Sequence, residues 1–408
     1  MFHLSIPFIF SLELTPVCNN HCPGCGNVFE RDPLVLSAKK WKDILEKIKP
    51  HARTLKITGG EPTLHPEFHQ IMQSVDALGI PFTIFTNARW KNTGQVIKQL
   101  STLRNLGGLL VSLHGHTAEI HEDFTNTHLS FDQTCQTIQF ATQAGLRVHT
   151  STVITRANYR VLDEIAFFSH TLGAKRAVFN RFLGEPTPEL DLSNEELRHA
   201  IREIENMVHK GFDFTDEFRV RYGNCIPQCF STSTSSGCWA GVAYCTIDPR
   251  GNIRPCNHSP TIVGNILKES LDVLWENETM EGWRELTPDD CIACGAYEQC
   301  HGGCRAMREI HPSENDPLMR VKLPPQPATK IELFELSRPI LNCEIFPESF
   351  GFTLIRGLSI FPVRSEAQAI LDALSGEYTL SDLQRHFGQD GLNFVGELAR
   401  RGFVRLIN

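Results

Sequence analysis

The run CNNHCPGC puts three thiols, Cys18, Cys22 and Cys25, at gaps of three and two residues, close enough to face one centre. A structural zinc site wants four tetrahedral ligands, commonly from paired C-x-x-C knuckles. His21 sits between two of the thiols and is poorly placed to close such a site. Iron–sulfur clusters take cysteines from tight local runs of this kind. Three thiolates on a four-iron cluster leave one iron open to a small molecule. A second stretch, TGGEP (Thr58–Pro62), pairs two glycines with a carboxylate. Gly59 and Gly60 permit close backbone approach, and Glu61 offers an acceptor for an ammonium group. A third field holds Cys238, Cys245 and Cys256, then Cys291, Cys294, Cys300 and Cys304 at gaps of two, five and three. Cys225 and Cys229 lie upstream and Cys343 downstream. On residues alone this field reads as a zinc ribbon or as iron–sulfur ligands. Cys135, alone in an amphipathic segment, reads as core.

The elements that must position these groups are short β-rich runs alternating with helical patterns. Strands are expected at Phe8–Leu14, Thr54–Thr58, Phe82–Thr86, Leu109–Leu113, Arg147–Ile154 and Arg176–Asn180. Amphipathic helices fall around Trp41–Ile48, 66–78, 130–144 and 158–171. Six such units imply an α/β fold with a parallel sheet and right-handed crossovers, open or curled into a partial (β/α)6 barrel of the TIM kind. Chemistry in such folds sits beyond the carboxyl ends of the strands. Cys18, Gly59 and Asn87 each follow a strand and land on that rim. Ser112, His114, Thr152 and Asn180 are further rim candidates.

Ser193 and Glu196 form a capping box for the next helix, with Gly211 at its stop. The organisation is therefore a catalytic domain over 1–215, a cysteine-rich domain over 220–320 and a small domain over 330–408. A proline-rich stretch, 311–330, links the last two. The small domain reads as strand, strand, three short helices and a strand, a winged-helix pattern with more acidic than basic residues.

Composition sets limits. The formal charge of −8 on 408 residues disfavours a large nucleic-acid surface. No apolar run approaches the ~18 residues of a membrane helix. The apolar amino terminus lacks a basic leading segment and carries Pro7, so it reads as a strand and not a signal peptide. Fourteen cysteines without an export signal point to a reducing, cytoplasmic setting.

C-x3-C-x2-C after the first strand of a β/α domain resembles the radical S-adenosylmethionine (radical SAM) family, and TGGEP after the second strand is an independent match. The resemblance implies a [4Fe–4S] cluster on Cys18, Cys22 and Cys25 whose open iron binds the amino and carboxylate groups of S-adenosylmethionine. One-electron reduction then yields a 5′-deoxyadenosyl radical that abstracts hydrogen. Gly59, Gly60, Glu61 and Pro62 would grip the methionyl amine, with Asn87, Ser112, Thr152 and Asn180 completing the cofactor site. The residue before the third cysteine is often aromatic or apolar in that family; here it is Gly24.

The later cysteines are similar to the SPASM extension of the family. That resemblance implies two auxiliary [4Fe–4S] clusters: Cys238, Cys245, Cys256 and Cys304 on the first, Cys291, Cys294 and Cys300 on the second. The pattern ends in a cysteine where this chain has Met319, so the second cluster needs a fourth ligand. One of Cys225 and Cys229, or Cys343, could serve, or the iron stays open to substrate. The tail resembles the PqqD-like peptide-binding domain of the pyrroloquinoline quinone pathway, the RiPP recognition element. Together these imply a maturase that installs a thioether or carbon–carbon cross-link in a ribosomally made precursor peptide. Its partners would be that peptide with its leader and an electron donor such as flavodoxin or ferredoxin, with no nucleic acid or membrane. A sulfatase-maturase-like enzyme acting on a folded protein, or an iron–sulfur or zinc regulator, are the alternatives.

Overall fold

The computed structural model describes residues 3–27, 34–183, 187–210, 218–223, 225–231, 237–310, 316, 318–319, 335–356 and 359–407. Gly211 and most of the proline-rich stretch 311–330 lie outside them. By internal contacts the chain forms two units, Met1–Pro324 and Pro325–Asn408.

The first unit is built on one ten-stranded sheet. Its strands are β1 (Ile9–Glu13), β2 (Thr54–Thr58), β3 (Phe82–Thr86), β4 (Leu106–Ser112), β5 (Val148–Ile154), β6 (Arg176–Arg181), β7 (Arg219–Tyr222), β8 (Tyr244–Ile247), β9 (Asn252–Arg254) and β10 (Gly264–Asn265). The order is β10-β9-β8-β1-β2-β3-β4-β5-β6-β7. Strands β1 to β7 pair in parallel, as a β/α alternation requires, and β8 adds to the free side of β1, also in parallel. The cysteine-rich segment therefore shares a sheet with the β/α units, although sequence separates the two as domains. A strand at the end of a β/α series leaves unpaired backbone groups, and β8 to β10 satisfy them.

Helices α1 (Ala38–Ile48), α2 (Phe68–Asp76), α3 (Thr93–Leu100), α4 (Ala118–Thr125), α5 (Ser130–Gln143), α6 (Leu162–Thr171) and α7 (Asn194–Lys210) connect the strands. The capping box at the start of α7 is present: Ser193 N–H donates to Glu196 at 2.8 Å and Glu196 N–H donates to the Ser193 hydroxyl at 3.2 Å. One sheet face carries Phe10, Leu12, Leu55, Ile57, Ile84, Leu109 and Val111, packed with Trp41, Ile44, Ile71 and Ile138 of the helices. Alternation then sends Ser11, Glu13, Lys56 and Thr58 to the other face. That face is polar, yet Ser11 and Glu13 are wholly buried on this inner side of the sheet.

The second unit has its own core of Leu354, Val363, Leu371, Leu374, Leu383, Val395, Leu398 and Phe403. Strands β12 (Glu344–Glu348), β13 (Gly351–Arg356) and β14 (Ser359–Arg364) form an antiparallel sheet, and β11 (Arg338–Leu341) pairs with β15 (Val404–Ile407). The short helix Gln368–Asp372 precedes a longer run, Leu380–Arg400, which Gly388 breaks in two with φ of 69°. This matches three helices in sequence order. β11 and β12 escape the sequence pattern because each is short and carries a proline, which only an edge tolerates.

Candidate metal centres and cofactor cleft

The CNNHCPGC loop leaves the end of β1 and TGGEP leaves the end of β2, so the parallel pairing of β1 and β2 sets the two stretches side by side. The backbone joins them: Gly60 N–H donates to Thr15 O at 2.6 Å and Glu61 N–H to Val17 O at 2.8 Å. A Cβ on Gly59, at φ 142°, would stand 2.5 Å from Thr15 O, and one on Gly60 2.3 Å from Val17 O. These glycines are therefore needed first to admit the cysteine loop, whatever else approaches them.

Glu61, expected beside the methionyl amine, is held on several sides by its own chain. Its side chain is fully buried. Its carboxylate accepts from Thr63 N–H (3.2 Å) and hydroxyl (2.7 Å), the Thr86 hydroxyl (2.8 Å) and Asn87 N–H (2.8 Å). Burial raises its pKa, and those hydrogen bonds oppose the shift. So enclosed, the carboxylate ties the TGGEP turn to the end of β3. Asn87, held in turn, donates to Asn19 Oδ1 at 2.7 Å and lies 3.6 Å from Cys18 Sγ, so it orients the loop. Thr152 is likewise withdrawn: it is fully buried and donates to Leu113 O at 2.6 Å. Asn180, partly buried, donates to Ser151 at 3.0 Å on the inner face, and Ser112 ends β4 nearby in the sheet.

Glu61→Ala leaves donors on Thr63, Thr86 and Asn87 without their buried acceptor. We expect a loss of about 3 kcal/mol or more in unfolding free energy, read from the denaturant midpoint. Wild-type stability in this variant would remove the structural role assigned to Glu61.

Cys18, Cys22 and Cys25 are all partly exposed on this rim. Asn20 N–H donates to Cys18 Sγ at 3.4 Å and Cys25 N–H to Cys22 O at 3.3 Å, so the loop curls on itself. Burial raises the Cys18 pKa, with the charges of Glu61 and Cys25 adding to it. An unpaired thiolate is thus disfavoured there, and a bound cation would reverse the balance. The space beside Gly24 is filled from elsewhere: a Cβ there would meet Phe182 at 2.6 Å, Leu190 at 2.8 Å and Phe124 at 3.1 Å. The apolar wall expected at residue 24 comes from those three side chains. His114, also a rim candidate, is buried against Phe124 with ring centroids 4.2 Å apart, and burial holds its pKa well below the usual value.

Sequence reasoning passed over the inner wall. Glu13 ion-pairs with Arg254 and accepts from Asn257 at 2.7 Å; burial, opposed by Arg254, brings its pKa up to about 7. Lys56 lies 4.8 Å from the Tyr244 ring centroid, and burial lowers its pKa against the pull of Cys256 and Cys238. His258 Nδ1–H donates to Gly26 O at 2.9 Å, joining the Cys256 segment to the first cysteine loop. The signal was present: Ser11, Glu13 and Lys56 occupy alternate positions in strands whose intervening residues are all large and apolar.

The second cysteine field falls into two groups. Cys225 forms hydrogen bonds with Cys238 and Cys304, which hold both below the usual thiol range, and Cys256 lies within the electrostatic reach of Cys238 and Cys304. Cys291 feels Cys300, Cys229 and Cys294 in the same way. Gln228 N–H donates to Cys300 Sγ at 3.3 Å, bringing the Cys225–Cys229 turn against the second group. Cys245, expected with the first group, is elsewhere. It pairs with Phe10 across β1 and β8, is fully buried, and packs in the apolar layer under the helices; burial alone raises its pKa. Cys343 packs on the core of the second unit, and Cys135 on that of the first. Among the described residues no three cysteine sulfurs lie within 4.8 Å of one another.

Residues 12–168 match the Radical SAM superfamily and residues 238–304 the SPASM iron-sulfur cluster-binding domain. The chain carries both domains and is an enzyme of the radical SAM class. It is 29% identical over 317 residues to the mycofactocin maturase MftC of Mycobacterium tuberculosis, covering 75% of this chain and 80% of the relative. The AdoMet-dependent heme synthase of Oleidesulfovibrio alaskensis is 24% identical over 328 residues, with 73% and 82% covered. The subtilosin biosynthesis protein AlbA of Bacillus subtilis is 26% identical over 322 residues, with 73% and 67% covered. Among solved structures, Streptococcus suis SuiB bound to precursor peptide SuiA shares the fold with a TM-score of 0.62 at 19% identity, covering 74% of this chain and 73% of that one.

Proposed function

We propose that this chain is a maturase that cross-links a ribosomally made precursor peptide, through a thioether or carbon–carbon bond. The observation that carries the reading is the pairing, in one continuous sheet, of a radical SAM rim with a SPASM cysteine field, in a chain whose relatives include a maturase and a bacteriocin biosynthesis protein. Cys18, Cys22 and Cys25 would hold the cluster that, with S-adenosylmethionine, supplies a primary carbon radical. The backbone of Gly59 and Gly60, with Pro62, Ser112 and Asn180, would face the cofactor; Glu61, Asn87 and Thr152 would keep that cleft in shape. Phe124 and Phe182 would shield one side of it from water. The inner wall of Glu13, Lys56 and Tyr244 would receive the modified residue between the first cluster and Cys256.

The tail supports a peptide substrate. The β12-β13-β14 sheet offers edge backbone groups for an added strand. A cavity of about 260 Å³ in the same unit, lined by Ala369, Ala373, Tyr378, Leu383, His386 and Phe387, would take a side chain. We read this unit as the leader-binding, PqqD-like element. A flavodoxin or ferredoxin in a reducing cytoplasm would donate the electron. No helix among the described residues is long and apolar enough to cross a membrane.

The test is to incubate anaerobic, reduced enzyme and S-adenosylmethionine with the product of a neighbouring short reading frame. Expected is 5′-deoxyadenosine, together with a peptide lighter by a pair of hydrogen atoms and carrying an internal cross-link. Porphyrin turnover with no peptide change would favour a heme-synthase-like activity instead.

A further inference from the structure

We propose that the turn carrying Cys225 and Cys229 splits between the two auxiliary clusters. Cys225 joins Cys238, Cys256 and Cys304, while Cys229 joins Cys291, Cys294 and Cys300, so Cys245 is not a ligand and both clusters are fully held by protein thiolates. The assignment rests on the iron–sulfur character of the cysteine field and not on the peptide reading.

Three observations carry it. First, strand alternation removes Cys245. Tyr244 and Thr246 meet each other at 3.1 Å on the inner face, which sends Cys245 and Ile247 to the opposite, apolar one. Second, the turn reaches both groups at once. Cys225 packs against the hydrophobic cluster of Leu183, Cys304 and Ala306, and Gln228, one residue before Cys229, donates to Cys300. The turn is fixed by Phe230 and Ser231 N–H donating to Pro227 O at 2.9 and 3.2 Å, and by buried Ile226.

Third, the segment that should have brought a cysteine is still docked. Asp316 makes a buried two-pronged pair with Arg181 at 2.7 and 2.6 Å and accepts from Cys304 N–H at 3.2 Å. Leu318 N–H donates to Asp316 at 3.0 Å, and Met319 N–H to its carbonyl at 2.8 Å. The aspartate thus stays bound to Arg181 and Cys304 N–H, while Met319 would take no thiolate to the second cluster. Cys229 supplies that thiolate from the other side. With eight thiolates for eight irons, neither auxiliary cluster has an iron free for substrate, and both are left to carry electrons.

The experiment uses the full chain with Cys18, Cys22 and Cys25 all changed to Ala, reconstituted anaerobically, so that only auxiliary clusters remain. That background should bind about eight irons. Adding Cys225→Ala or Cys229→Ala should cost up to half of them. Any cluster that survives should change its reduced EPR signal, and cyanide should then shift that signal where the parent's stays put. Cys245→Ala, with Cys245→Val as a second variant that refills the core, should keep all eight irons and the parent spectrum. The assignment is overturned if a folded Cys245 variant loses a cluster. It is equally overturned if either Cys225→Ala or Cys229→Ala keeps full iron with an unchanged, cyanide-insensitive spectrum. Neither readout needs S-adenosylmethionine or peptide, so a failed maturase reading leaves it standing.

Discussion

Changing Cys18, Cys22 and Cys25 together to Ala is expected to lower iron from about twelve to about eight per chain and to abolish formation of 5′-deoxyadenosine. The effect is large because all three thiols come from one short loop. Asn87 and Asn20 approach Cys18, yet neither amide can replace a thiolate on iron. The core should not suffer. The three side chains are partly exposed, and the loop is tied through the backbone of Thr15 and Val17 to Gly60 and Glu61. Iron analysis, absorbance and product chromatography under reducing, anaerobic conditions check the outcome. Cofactor cleavage persisting in the triple variant would place the radical cluster elsewhere.

The second large effect concerns the tail. A chain ending at Pro324 should keep its iron and its slow, substrate-free cleavage of S-adenosylmethionine but bind the leader about a hundredfold more weakly. The physical ground is that residues 325–408 form a separate compact unit with their own core, including Leu354, Leu371, Val395 and Phe403. A peptide held there as an added strand would gain backbone hydrogen bonds from that unit. Tethering then presents its core region to the cleft at high local concentration. Leader affinity by fluorescence anisotropy and turnover by mass spectrometry decide it. If the truncated enzyme modifies full-length precursor at the intact rate, the tail has another purpose; preferential binding of duplex DNA by the intact chain would revive the regulator reading.

Much of the chemistry was legible because it is local. Three thiols within eight residues must converge wherever the loop folds, and TGGEP must follow a strand because its neighbours alternate. The β/α alternation likewise follows from periodicities of about 3.6 and 2, so β2 and β3 occur where the pattern puts them.

What spacing along the chain could not decide is which distant groups meet. Cys245 fits the ligand interval, yet β8 adds in parallel to β1 and the alternation of that strand turns its thiol into the apolar layer opposite Phe10. Glu61 has the right charge for an ammonium, but Thr86 and Asn87 at the end of β3 enclose it, a meeting set by the order of the sheet. Gly24 lacks an apolar side chain, and Phe124, Phe182 and Leu190 fill its place from more than ninety residues away. The sequence by itself determined the donor types, the local loops and the class of radical chemistry, since each depends on residues within one turn or strand. The tertiary structure alone decided that Cys245 enters the apolar layer, that Thr86 and Asn87 enclose Glu61, and which side chains wall Gly24, since each depends on the pairing order and facing of strands far apart in the chain.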